Sequence, residues 1–186
     1  MKSILMVVAF TEAFVAGPAL AHAGMGQSNS FAAGIAHPLG GADHILTMAM
    51  VGLWSVLSGG RAMWLWPATF LAAMLGGFVA AVFGLQLSLV EVTIIVSIVV
   101  LAFLIALRVR APLWLGGAVI GLFGFFHGHA HGTEAAVGSL LSYAAGFALA
   151  TAGLHAFGVG IGLCARGLIG RIAWRATGGI AALIGG

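Results

Sequence analysis

The chain has 186 residues, of which 62% are hydrophobic and only 6% are charged. A soluble domain carries about 25% charged residues because its surface has to meet water, so this composition excludes an ordinary soluble protein and predicts a surface that faces lipid. The formal net charge is only +3. Because the basic residues are scattered along the chain, they argue against a nucleic-acid partner and are typical of membrane-topology signals.

Residues 1–21 are predicted to be a cleavable signal peptide. A lysine, an apolar stretch and a proline precede an Ala-x-Ala pattern that ends at Ala21, and this order is typical of a signal cleavage site. An overlapping pattern would place cleavage after residue 23. Residues 22–186 would then form a single transmembrane domain whose N-terminus starts on the extracytoplasmic side.

Hydrophobicity predicts an all-α integral membrane protein with about six transmembrane helices in one bundle. A helix that crosses a bilayer needs about 20 apolar residues. The predicted spans are residues 32–58, 63–84, 88–108, 112–130, 134–163 and 168–186. A turn at 165–167 is predicted to precede the last span, which is the weakest because two arginines shorten its apolar part.

The arginines alternate between the turns of this predicted bundle. The turns after the second and fourth spans have no arginine. The arginines that follow the first, third and fifth spans are Arg61, Arg108, Arg110, Arg166 and Arg171. Positive residues favour the cytoplasmic side. The pattern therefore also predicts an extracytoplasmic N-terminus, in agreement with the signal peptide.

The first span carries three ionisable residues, which are costly in lipid and therefore indicate a function. On an ideal helix His37 and His44 share a face but lie about 10 Å apart along the axis. Pro38 and the Gly-Gly pair that follows would let the helix break and bring the two rings together. The alternative is a capped helix start in which Asp43 bonds to a neighbouring span.

A second ionisable segment ends the fourth span. His127 and His131 share one helix face, and Glu134 follows three residues after His131. His129 falls on the opposite face unless the segment is extended. Imidazole and carboxylate groups are ligands for Ni²⁺, Co²⁺, Zn²⁺ and Cu²⁺, so the segment predicts a metal site. A water-exposed loop, or a loop that only captures metal from outside, are the alternatives.

The predicted topology brings the two segments to the same depth. The first span enters from outside and the fourth span exits outward, so both place their histidines in the outer half of the membrane. A single shared site is therefore expected. Two further histidines are secondary candidates: His22 for capture near the new N-terminus, and His155 of the fifth span, either as a deeper ligand or as a helix–helix hydrogen-bonding residue.

The two motifs resemble those of the HupE/UreJ family of nickel and cobalt permeases, as does the stretch at 146–158. The motifs read His-Pro-x-x-Gly-x-Asp-His at 37–44 and Phe-His-Gly-His-Ala-His-Gly-x-Glu at 126–134. The resemblance implies uptake of Ni²⁺, or of Co²⁺ in some members, across a bacterial inner membrane, with an indirect link to the maturation of nickel enzymes. It assigns the metal-ligand role to His37, Asp43, His44, His127, His129, His131 and Glu134.

The leading hypothesis is therefore a non-enzymatic permease with Ni²⁺ or Co²⁺ as its transported substrate and no organic cofactor. The chain has no nucleotide-binding loop pattern, so the metal gradient or the membrane potential would drive transport. The rival is a membrane-embedded metalloenzyme or haem protein that uses the same histidines. A non-transporting assembly partner is a third hypothesis.

Overall fold

The computed structural model describes residues 31–134 and 140–184, with side chains described up to residue 133 and from 140 to 167. All of the secondary structure in these ranges is helical. The helices are α1 (Phe31–Gly40), α2 (Ala42–Ser58), α3 (Ala62–Val82), α4 (Val90–Ala106), α5 (Leu113–Glu134) and α6 (Leu140–Ile184). The predicted signal peptide and His22 lie outside the described residues.

The first predicted span is divided into α1 and α2 at Gly41. This residue is extended, with φ −110° and ψ 124°, and Pro38 lies in the last turn of α1. A proline within a helix removes one hydrogen bond and clashes with the preceding turn, so the interruption falls where the proline and glycine pattern predicts it.

Helices α2 and α6 run parallel in close backbone contact. Gly52 lies against the backbone of His155, and Gly162 lies against the side chain of Val56. The residue numbers rise together at these contacts, which makes the helices parallel. Small residues allow such close approach where lipid supplies no hydrophobic drive for association.

Helices α3 and α5 also run parallel, with large residues on one helix opposite glycines on the other. On α3 the contact residues recur every four positions: Trp66 lies against Gly116, Phe70 against Gly124, Met74 against Gly128, and Phe78 against Gly132. Because every fourth residue stays on nearly the same helix face, the pattern fixes the rotation of α5 and therefore the direction of its histidines.

The arginine-bearing turns gather at one end of the bundle. The Trp54 indole Nε1 donates a hydrogen bond to the Val109 carbonyl at 2.9 Å, and Arg166 Nη1 donates to the Val56 carbonyl at 3.1 Å. The turns at 59–61 and 107–112 thus lie together with Arg166. We call this the arginine end, and the end that carries the turn at 83–89 the opposite end.

The outer surface of the bundle is apolar. Within the described part of the chain, three helical segments are long and apolar enough to cross a membrane, namely Ala62–Val82, Leu113–Thr133 and Leu140–Gly167, and α2 and α4 are shorter apolar helices. Large exposed side chains such as Trp64 and Trp114 lie on this surface, as is typical of residues at a membrane interface. The fold is therefore a helical membrane bundle.

Two predicted boundaries are wrong. Helix α5 continues through the histidine segment to Glu134 instead of ending at residue 130. The turn predicted at 165–167 is absent, because α6 continues from Leu140 to Ile184. Alanine and arginine are good helix formers and a single glycine costs only about 1 kcal/mol, so these three residues are too weak a signal to end a helix.

Candidate metal centre

Four histidines from three helices converge inside the bundle. The ring of His131 lies 4.5 Å from that of His37 and 4.5 Å from that of His44, measured between ring centroids. The rings of His44 and His127 are 5.4 Å apart, and those of His37 and His44 are 6.4 Å apart. We call these four residues the histidine cluster. The structure thus brings together four of the seven predicted ligands, whose role as ligands stays a prediction.

The cluster is enclosed by the helices and lies toward the opposite end of the bundle. His127 is fully buried and His131 is 1% exposed. Aromatic rings surround them, with the Phe147 ring 4.2 Å from His131 and the Phe70 ring 5.5 Å from His127. Buried polar groups are almost always hydrogen-bonded, so these rings need partners.

Several ring nitrogens of the cluster lack such a partner. His44 Nδ1 lies 3.0 Å from Asp43 Oδ1, and His127 Nδ1 lies 2.8 Å from the Phe123 carbonyl oxygen. Within the described structure, Nε2 of both rings and both nitrogens of His131 are buried without a hydrogen bond. A metal-binding histidine characteristically bonds a carboxylate or carbonyl through one nitrogen and the ion through the other. His44 and His127 already have the first half of this arrangement.

The ring separations suit a shared cation. With metal–nitrogen bonds of about 2.0–2.1 Å, two rings on one ion have centroids about 4.5–5.5 Å apart. Three of the four measured separations fall in this range. Among the described residues, however, no three histidine, cysteine or acidic side chains form a ready-made metal group. Binding would therefore require the rings to rotate toward a common point.

Asp43 lies behind His44 in this arrangement. Its side chain is 40% exposed. The carboxylate contacts the His44 ring and holds it in place, and it does not point into the cluster. A Cβ at Gly41 would lie 2.6 Å from Asp43 Oδ1 and 3.0 Å from His44 Nδ1, so glycine at this break makes room for the pair. The side chain of Glu134 lies outside the described residues.

His129 is separated from the cluster because α5 stays helical. It is 2% exposed, and its backbone lies against Gly77 of α3. Its Nε2 lies 2.7 Å from the carbonyl oxygen of Leu85, in the turn between α3 and α4. The structure therefore places this predicted ligand at a helix–turn contact.

His155 lies outside the cluster on α6 and is 3% exposed. Its ring meets the Phe70 ring edge-on at 5.1 Å, and Phe70 also contacts His127. The sequence did not indicate that Phe70 lies beside these histidines, because its four-residue spacing from Trp66 and Met74 is the ordinary pattern of a packing residue.

Fold and site together define a multi-pass helical membrane protein with a buried cluster of imidazoles. The chain belongs to the HupE / UreJ protein family, whose match covers residues 8–186. It is similar to Protein HupE of Rhizobium leguminosarum bv. viciae, with 38% identity over 177 residues that cover 94% of this chain and 93% of that protein. No solved structure matches the chain significantly. The resemblance drawn from the motifs is thereby confirmed.

Proposed function

We propose that the protein is a permease that carries Ni²⁺, or Co²⁺, from the periplasm to the cytoplasm across a bacterial inner membrane. The observation that carries the proposal is the set of buried, unpartnered ring nitrogens on His44, His127 and His131. Polar groups inside a membrane protein are costly and mark substrate or ion pathways. Imidazole is a ligand that suits nickel and other borderline divalent ions, and membership of the HupE / UreJ family favours the same substrate.

The cluster is suited to bind an ion reversibly. Its rings come from α1, α2 and α5, so an ion bound by them would join three separate helices. A transport site has to bind well enough to load and weakly enough to release. Rings that must rotate to bind, together with a break at Gly41 next to two of them, meet both requirements.

Orientation follows from the arginines. The arginine end is proposed to face the cytoplasm, because positive residues favour that side. The N-terminus and the nearer access to the cluster then face the periplasm. A divalent ion that moves inward through 100 mV gains about 4.6 kcal/mol, and such uptake would supply metal for the maturation of nickel enzymes.

Accumulation of ⁶³Ni and ⁵⁷Co in cells that express the protein tests the proposal. Wild type should accumulate one or both metals, and His131→Ala should abolish uptake because His131 contacts two other cluster rings. Phe157→Ala is the matched control, since Phe157 is 60% exposed on the lipid-facing surface. Uptake by His131→Ala at the wild-type level, with equal membrane expression, would contradict the proposal.

Metal quantitation separates a permease from a resident-metal enzyme. A permease should lose its ion when the purified protein is treated with a mild chelator, because its site must release the substrate. Retention of one ion per chain after that treatment would favour the metalloenzyme.

A further inference from the structure

His155 is a buried histidine that the cluster does not use. It is 3% exposed, and its Nε2 has no hydrogen-bond partner in the described structure. A histidine within a membrane helix commonly bonds to a neighbouring helix, but this nitrogen makes no such bond. Its presence therefore calls for another reason.

His155 lies on the arginine-end side of the cluster. Its backbone packs against Gly52, which follows His44 by eight residues on α2, about 12 Å along the helix axis. Side chains on a helix lean toward the N-terminus of that helix. Since α6 runs parallel to α2, the ring of His155 leans back toward the cluster.

The Phe70 ring connects the two positions. It contacts His127 at 5.5 Å and His155 at 5.1 Å, measured between ring centroids. The rings of the two histidines are therefore at most about 10.6 Å apart, since both contact one phenyl group. An ion that leaves the cluster toward the arginine end would meet His155 after it passes Phe70.

Among the described residues, the side chains next to His155 that could bind a cation are weak ligands. Thr151 lies one turn earlier on the same face of α6, and its Oγ1 lies 3.6 Å from the sulfur of Met74. Met74 in turn lies one turn from Phe70 on α3. One imidazole beside a hydroxyl and a thioether would hold a borderline divalent cation less tightly than several imidazoles. A second binding position on a conduction path needs such a low affinity, because the ion has to leave it again.

We infer that His155 forms a second, weaker binding position for the transported divalent cation, between the histidine cluster and the arginine end. The inference rests on the proposed permease function. An ion moves from the cluster to His155 when the Phe70 ring turns aside, and it leaves from there toward the arginine end.

Counting bound ions tests the inference directly. The full chain, purified in detergent, is equilibrated with Co²⁺ alone, and bound metal is measured across a range of free concentrations. Wild type should bind two ions with different affinities. His155→Ala should lose the weaker ion and keep the tighter one, whereas His131→Ala should lose the tighter one. Phe157→Ala, two positions from His155 on the lipid side, should bind as wild type does.

Transport kinetics, normalised to the amount of folded protein in the membrane, give a second readout, because a loss of folded protein alone would then leave the maximal rate unchanged. His155→Ala should lose most of the maximal uptake rate while the half-saturating external metal concentration stays unchanged, because loading of the cluster is intact. His155→Gln keeps the polar volume and should show the same loss, which covers the case in which the alanine variant fails to fold.

Equal ion counts for wild type and His155→Gln, or an unchanged maximal rate, would overturn the inference and leave the permease proposal standing. If wild type neither binds nor accumulates the metal, the permease proposal itself fails. The two failures are therefore distinguishable.

Discussion

Asp43 illustrates how much the role of a single residue depends on geometry. Sequence alone places it among the metal ligands, as a carboxylate beside His44. In the structure its Oδ1 lies 3.0 Å from His44 Nδ1, so the carboxylate orients the imidazole and leaves Nε2 free. Loss of such an outer partner typically reduces metal affinity about 10–100-fold without removing the site.

We therefore expect Asp43→Ala to raise the half-saturating nickel concentration about 10–100-fold, with uptake recovering at high metal. Asp43→Asn should be less affected, because its amide oxygen can still accept a hydrogen bond from His44. Concentration-dependent ⁶³Ni uptake measures both variants. If both are inactive at every metal concentration, Asp43 binds the ion directly.

His129 is expected to differ from its neighbours in the same motif. Its Nε2 contacts the Leu85 carbonyl, and a hydrogen bond of this kind contributes about 0.5–1.5 kcal/mol. His129→Ala should leave the number of bound Co²⁺ ions unchanged and should speed hydrogen exchange in the turn at 83–89. His127→Ala serves as the comparison, because it should alter metal binding instead. If His129→Ala binds one Co²⁺ ion fewer than wild type, His129 is a metal ligand after all.

The residues of the cluster could be predicted from the sequence, but their division of roles could not. Helical spacing and the alternating arginines were enough to bring His37, His44, His127 and His131 to one place. The face on which His129 lies depends on whether the segment at 127–133 is helical or extended, and the sequence left both open. The partner of His127 is the Phe123 carbonyl, a backbone group that exists at every position and gives no sequence signal.

At the scale of the helices, adjacent glycines on α3 offer a matched test of the packing. A Cβ at Gly77 would overlap the backbone carbonyl of Phe125 on α5, whereas a Cβ at Gly76 would meet nothing within 4 Å. Gly77→Ala should therefore force α3 and α5 apart and lower the melting temperature. Gly76→Ala should be neutral or slightly stabilising, because alanine is the better helix former by about 1 kcal/mol.

Thermal unfolding of the purified variants in one detergent measures this difference. Since the parallel pairing of α3 and α5 sets the direction of His127 and His131, Gly77→Ala should also lose nickel uptake. Equal melting temperatures for the two variants would mean that this close approach does not contribute to stability.

Helix positions were predicted more accurately than helix ends. The predicted span 63–84 corresponds to Ala62–Val82, and 88–108 corresponds to Val90–Ala106, because turn residues and arginines interrupt the apolar runs there. The predicted turn at 165–167 failed since it had one arginine and one glycine but no proline. In the structure Arg166 instead bonds the Val56 carbonyl, a contact between distant segments that local sequence does not reveal.

For the whole molecule, the grouping of arginines at one end yields a topology prediction. A phosphatase reporter that is active only in the periplasm should be active when fused within the turn at 83–89. It should be inactive when fused at 59–61 or 107–112, which lie at the arginine end. A fluorescent reporter that matures only in the cytoplasm should give the reverse pattern. The same reporter response at all three turns would contradict the orientation on which the direction of transport depends.

Metal binding should also stabilise the whole bundle, because the cluster joins α1, α2 and α5. A ligand that binds only the folded state adds about 2.7 kcal/mol of stability at 100 times its dissociation constant. Ni²⁺ should therefore raise the melting temperature of the purified protein in a concentration-dependent way, and a chelator should reverse the effect.

His131→Ala should lose this response, because the His131 ring lies 4.5 Å from both His37 and His44. Phe157→Ala should keep it, and Mg²⁺, which prefers oxygen ligands, should not replace Ni²⁺. An equal nickel response in wild type and His131→Ala would show that the ion binds elsewhere on the chain, and the cluster would then be a packing feature of the bundle.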